Sequence, residues 1–402
     1  MTGAPARRTR RAWRRVAAAA VLLGAAAVLA VPVPWWMVLQ GRARISDHRH
    51  FDNAPIARST RPSALVRAPA PLRWPGGMDA AAMEADLAAQ GTVALLVARG
   101  GRLVYERYFD DHGADTLATS FSMAKSVVSV LLGIAIDEGR IAGVDEPVTR
   151  WLPELRAGDA RFERITLRHL LAMRSGIAFD EGYRSPFSDA ARFYVGSDLR
   201  DAVARLTVAQ PPDQGFHYSS GDTQLLAMVL ERAVGMPLAR WAETRLWQPL
   251  GAAHDASWSL DSTRSGVARG FCCLNARAVD YLRFGLMVAE GGQWNGRRIV
   301  SRAWLERSTA AQQGLPGPAD AAWRNIERPH SPQAAFYAWQ WRRRPLSDVH
   351  PLQPGPWVYA QGRHGQIRLI DPETRSVALR LGRRNGDRHW PAWLEELLSL
   401  NR

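Results

Sequence analysis

A chain of 402 residues with 47% apolar composition can bury a substantial core, as one large domain or two. Its formal charge of +14 includes six arginines among the first fifteen residues, and the remaining excess is spread along the chain with no basic run interleaved by aromatics, which argues against nucleic-acid binding. The only two cysteines, Cys272 and Cys273, are neighbours; adjacent cysteines rarely form an unstrained disulfide, so they read as buried small hydrophobes.

The N-terminus reads as a targeting segment. Arg7, Arg8, Arg10, Arg11, Arg14 and Arg15 precede an uncharged run over 16–39, long enough to span a bilayer. Positive residues stay on the cytoplasmic side, so the rest of the chain is expected across the membrane. A cleaved signal peptide is the alternative, with Val28-Leu29-Ala30 as its cleavage site. Both readings place the remainder outside the cytoplasm, at the cell membrane if the segment stays and secreted if it is cleaved. Residues 41–75 are rich in Arg, Pro and Ala and read as a tether, and the folded domain is expected over 76–402.

Within that domain, 78–90 predicts a helix. The stretches 92–98 and 102–109 predict a hairpin joined at Gly100-Gly101. The almost wholly apolar run 127–136 predicts a helix buried on all sides, with Ser122 at its N-terminus. Residues 144–290 read as mostly helical, with clear helices over 225–234 and 276–289. Strands are then expected over 336–341, 357–360, 366–370 and 376–381, and a closing helix over 390–398. Strands at both ends and helices between them predict an α+β fold: one antiparallel sheet whose first and last strands meet, with an inserted, mostly helical subdomain.

Three stretches carry candidate chemistry. The first is Ser122-Met123-Ala124-Lys125, which holds the only lysine among 52 lysines and arginines. Arginine serves for surface charge but keeps its proton at any useful pH, whereas a buried lysine can lose its own. Three residues along a helix bring that amine beside the serine hydroxyl, as an activated nucleophile requires. The helix N-terminus also offers a backbone donor to an oxyanion. The competing reading makes Ser122 a cap and Lys125 a snorkelling side chain. The second stretch is Phe216-His217-Tyr218-Ser219-Ser220-Gly221-Asp222, at the entrance of the next helix. Tyr218 there can relay a proton between serine and lysine; alternatively it packs under the loop while Ser219 and Ser220 cap the helix. The third is Gly362-Arg363-His364-Gly365-Gln366 at the start of a strand, which reads as a second oxyanion donor or as a bulge or tight turn. No P-loop, no Gly-x-Ser-x-Gly elbow and no metal-ligand spacing occurs.

With these three stretches in order, the chain resembles the serine β-lactamase-related family, which includes class C β-lactamases, penicillin-binding carboxypeptidases and related esterases. The family's Ser-x-x-Lys, Tyr-x-Asn or Tyr-x-Ser, and Lys-Thr-Gly-like triplet read here as Ser122 to Lys125, Tyr218 to Ser220, and Arg363 to Gln366. Similarity continues through 169–176, 247–251 and 281–285, and covers roughly 90–395. The resemblance implies a β-lactamase/transpeptidase-like fold, Ser122 as nucleophile, Lys125 and Tyr218 as shared base and acid, and the Ser122 and Gln366 N–H groups as oxyanion donors, with Gly365, His364, Arg363 and Ser220 lining the substrate site. Ser220 stands where β-lactamases usually have Asn, and Arg363-His364 where they have Lys-Thr. In the relatives that lysine and threonine help hold a β-lactam carboxylate, so their loss fits the esterase and amide-hydrolase branch better, while Arg363 offers an alternative bidentate partner for a substrate carboxylate. The expectation is a serine hydrolase acting on a small ester or amide through an acyl-enzyme, with no cofactor. A peptidoglycan D,D-carboxypeptidase or β-lactamase is the alternative within the same chemistry, and a catalytically silent binding protein the alternative from another class.

Overall fold

The computed structural model describes residues 43–183, 185, 187–311, 326–327, 335–347 and 349–402. In chain order the elements that frame the site are β1 (Asn53–Ile56), α1 (Ala80–Ala89), β2 (Thr92–Arg99), β3 (Arg102–Tyr108), β4 (Ala118–Thr119), α2 (Ala124–Asp137), α3 (Ser220–Val234), β5 (Ala256–Ser259), β6 (Leu274–Ala276) and α4 (Ala278–Ala289). They are followed by β7 (Ile326–Glu327), β8 (Ala335–Tyr337), β9 (Arg342–Arg343), β10 (Val358–Gly362), β11 (Gln366–Asp371), β12 (Ser376–Gly382) and α5 (Trp390–Leu400).

The β2–β3 hairpin turns at Gly100 and Gly101, both at positive φ (55° and 78°), the backbone that a two-residue hairpin needs and that glycine adopts without a Cβ penalty. β2 then pairs with β12 through Leu96↔Leu379 and Val97↔Ala378. The first and last strands therefore meet, closing an eight-stranded antiparallel sheet of order β7-β8-β9-β10-β11-β12-β2-β3. β2 is buried along all but its last residue because both faces are covered. Alternate side chains serve two cores: Leu95 and Val97 face α1 and α5, while Leu96 and Ala98 join the larger core with α2, α3 and α4.

Three expectations change. Residues 41–75 are not a tether over their described part: β1 pairs antiparallel with β5 in a second sheet of order β1-β5-β6-β4, and Ile56 is fully buried. Their Pro and Arg content hides this because the pairing partner lies about 200 residues away, beyond any local signal. Accordingly residues 44–402 form one compact unit. The helical part also ends earlier than residue 290, since α4 packs on β11 and β12. The strand expected over 336–341 is broken by a turn in which Gln340 takes a positive φ of 69° and Ala338 N–H donates to Trp341 O at 2.8 Å. The segment over 16–39 lies outside the described residues, among which no helix is long and apolar enough to cross a membrane.

Candidate active site

The nucleophile candidate sits at a strained entrance. Phe121, immediately before it, holds a positive φ of 45°, which is uncommon for a bulky residue. A single 3₁₀ turn, Phe121–Met123, then leads into α2, and Ser122 on that turn is half-buried. Strand β10 comes close against the turn: a Cβ on Gly362 would stand 2.5 Å from Ser120 O, so only glycine fits.

Lys125 lies in the first turn of α2 and is 1% exposed. Its Nζ donates to Ser220 Oγ at 3.0 Å and to Phe271 O at 2.8 Å. The Tyr218 ring centroid is 5.3 Å away and the Phe271 ring 5.4 Å. Burial lowers the amine from its ordinary range to about 7; Glu181 and Asp222 oppose the shift and Arg342 adds to it. Arg342 lies with its Cζ 4.9 Å from the Tyr218 ring centroid and 5.1 Å from that of Tyr337.

The helix entrance divides its labour. Ser219 is the N-cap of α3, accepting from Asp222 N–H at 3.2 Å. Ser220 does not cap; it faces Lys125 and also donates its hydroxyl to Glu181 Oε1 at 2.7 Å. Asp222 is fully buried, accepts from Ser175 Oγ at 2.8 Å, and is pushed up to about 8 by that burial.

The third stretch forms a 3₁₀ turn, Arg363–Gly365, opening β11. His364, at a φ of 63°, packs edge-on against Phe121 with ring centroids 5.4 Å apart. Arg363 lies over the Tyr183 ring at 5.0 Å. Gly365 is buried, and its carbonyl accepts from Arg380 at 2.7 Å. Gln366 closes the turn with its backbone N–H, which donates to Arg363 O. Its side chain is buried and pairs with Gly382, donating through Nε2 and accepting at Oε1. Gln366 thus ties β11 to β12. Cys272 and Cys273 are buried as expected but bonded to each other. The backbone turns left-handed at Cys273, with a φ of 71°, which an extended dipeptide would not allow.

The arrangement brings together Lys125, Tyr218 and Ser220; Ser122 lies one helical turn before Lys125, on the 3₁₀ turn whose Phe121 packs against His364 of the third stretch. A Beta-lactamase family model matches residues 80–398. The chain belongs to the Beta-lactamase family. It is 30% identical to 6-aminohexanoate-dimer hydrolase of Paenarthrobacter ureafaciens over 316 residues, covering 74% of this chain and 75% of that protein. It is 34% identical to esterase EstB of Burkholderia gladioli over 197 residues, 44% and 49% of the two chains. The solved structure of a class C β-lactamase superposes with a TM-score of 0.57 at 16% identity, covering 79% of this chain and 93% of that one, which shows the fold. The protein is a hydrolase of this family.

Against that family background, sequence reading missed three contributors. Glu181 lies in an irregular loop with no motif around it. The Phe271 carbonyl is a backbone group that no side-chain pattern announces. Arg342 is brought in by the turn at Gln340, whose amide Nε2 bonds Leu170 O and Leu171 O at 3.1 Å each. Only the isolation of the lysine pointed toward any of them, since a buried amine needs acceptors.

Proposed function

We propose that the protein hydrolyses an ester or amide through an acyl-enzyme on Ser122, with Lys125 as base and Tyr218 as relay. The observation that carries this reading is Lys125: the only lysine of the chain, buried one helical turn beyond Ser122, beside Tyr218, and held near neutrality by desolvation. Lys125 takes the Ser122 proton, directly or through Tyr218, as Ser122 Oγ bonds the carbonyl carbon. The bond to the alcohol or amine leaving group then breaks, and the proton passes to that group. Water attacks the acyl carbon and gives its proton to Lys125; the bond from that carbon to Ser122 Oγ then breaks, Lys125 returns the proton to Oγ, and the acid leaves. The N-terminus of the helical segment supplies positive dipole to the oxyanion. Two similar proteins, named a dimer hydrolase and an esterase, support an ester or linear amide as substrate. Arg363-His364 in place of Lys-Thr supports weak turnover of β-lactams.

Hydrolysis of p-nitrophenyl acetate, a linear amide and a cephalosporin by the parent and Ser122→Ala tests the reading. Ester turnover and fluorophosphonate labelling are expected in the parent alone, with the cephalosporin the slowest substrate. Near-parental turnover by folded Ser122→Ala would remove Ser122 as nucleophile.

We also propose that the basic, apolar N-terminal segment holds the hydrolase at the cell membrane on its outer side. Removal of residues 1–42 is expected to move activity from the membrane fraction to the soluble one.

A further inference from the structure

Lys125 as a base needs more than a lowered proton affinity; its lone pair must point at the hydroxyl it deprotonates. A neutral amine has two N–H bonds and one lone pair. Phe271 O can only accept, and it takes one N–H at 2.8 Å. Ser220 Oγ, at 3.0 Å, can either accept or donate. Had it donated to Lys125, it would consume the lone pair and abolish the base. The neighbour of Ser220 decides. Glu181 Oε1 lies 2.7 Å from Ser220 Oγ, and Glu181 Oε2 accepts from Ser220 N–H at 2.7 Å. The carboxylate is thus clamped on both polar groups of the first residue of α3, at the positive end of a 15-residue helix. A carboxylate only accepts, so the single Ser220 hydroxyl proton goes to Glu181. Tyr183 OH also donates to Glu181, holding it from the loop side.

We propose that Glu181 is a positioning residue for the reaction: by taking the Ser220 hydroxyl proton it makes Ser220 an acceptor toward Lys125, so that both Lys125 N–H bonds are spent and the lone pair is left to the side of Ser122 and Tyr218. This rests on the reading of Ser122 as nucleophile and Lys125 as base. Glu181 and Ser220 together then do what a lone amide oxygen would do at the position of Ser220.

The titratable and charged groups around Lys125 are Glu181 from the loop, Asp222 from α3 and Arg342 from β9; the Tyr218 ring also faces it. The carboxylate of Glu181 favours the lysine cation, so its loss moves the acid limb of the pH profile to lower pH. The experiment is kcat and KM for p-nitrophenyl acetate against pH, with the full chain, for the parent, Glu181→Ala, Glu181→Gln and Ser122→Ala, folding being checked by circular dichroism. Glu181→Ala should lose about 10–100-fold in kcat with KM nearly unchanged, and show the displaced limb. Glu181→Gln keeps an accepting oxygen for Ser220 but no charge, so it should recover part of kcat while the limb stays displaced. Glu181→Gln also serves as the test should the alanine variant fail to fold. A kcat within about twofold of the parent in both variants overturns the proposal. Lost kcat with an unmoved limb overturns it as well, leaving a purely structural loop residue. Retained activity in Ser122→Ala overturns instead the reading on which it rests.

Discussion

Burial lowers the Lys125 ammonium from its ordinary range to about 7, because the cation would have to exist without water. A base acts in its deprotonated form, so kcat/KM on an activated ester should rise with pH through about 7 and level off above it. Lys125→Arg keeps the charge and should still be nearly as damaging as Lys125→Ala, because a guanidinium does not give up its proton even when buried. The expected loss is about 10²–10⁴-fold in rate. An arginine variant within about threefold of the parent would reduce Lys125 to holding substrate. At this scale the sequence was informative because arginine fills every other cationic position of the chain. It was silent on Glu181, since a lone carboxylate in a loop looks like surface charge until the fold sets it against Ser220.

Among the elements, the 3₁₀ turn bearing Ser122 and the end of β10 lie too close for a side chain between them. Gly362→Ala would put a methyl 2.5 Å from Ser120 O and 3.1 Å from the Phe121 Cβ. The turn must then move, carrying Ser122 with it. Misplacement by about 1 Å costs on the order of 10² in rate, so kcat should fall to that extent while the denaturation midpoint changes little. A kcat within about twofold of the parent would mean that the turn is free to adjust. Hairpins and amphipathic helices were legible here because neighbours in sequence decide them. The expected strand over 336–341 was not. Its apolar run is interrupted by Gln340, whose amide is drawn to the carbonyls of Leu170 and Leu171 and whose Oε1 accepts from Thr223 at 2.8 Å. A buried amide with partners from two distant segments outweighs strand propensity.

For the whole molecule, the useful boundary is at residue 44 and not at residue 76. A chain beginning at residue 44 should fold and retain activity. One beginning at residue 76 loses β1 from its sheet, the buried Ile56, and the bond from Ser63 N–H to Gly251 O at 2.9 Å. It should denature at markedly lower urea or aggregate, as urea titration by tryptophan fluorescence would show; equal midpoints for the two chains would make residues 44–75 dispensable.

The sequence by itself determined the α+β class and the strands of the β2–β3 hairpin, because each rests on a local period or a local turn; the order of strands at both ends with helices between them also foretold that the first and last strands meet. Only the tertiary structure decided that 44–75 belongs to the fold, that the Gln366 side chain pairs with Gly382, that the two cysteines are joined, and that Phe271, Glu181 and Arg342 surround the amine. Each of these depends on groups far apart in the chain or on a single backbone angle. Burial and hydrogen-bond satisfaction choose among such partners only once the sheet has closed.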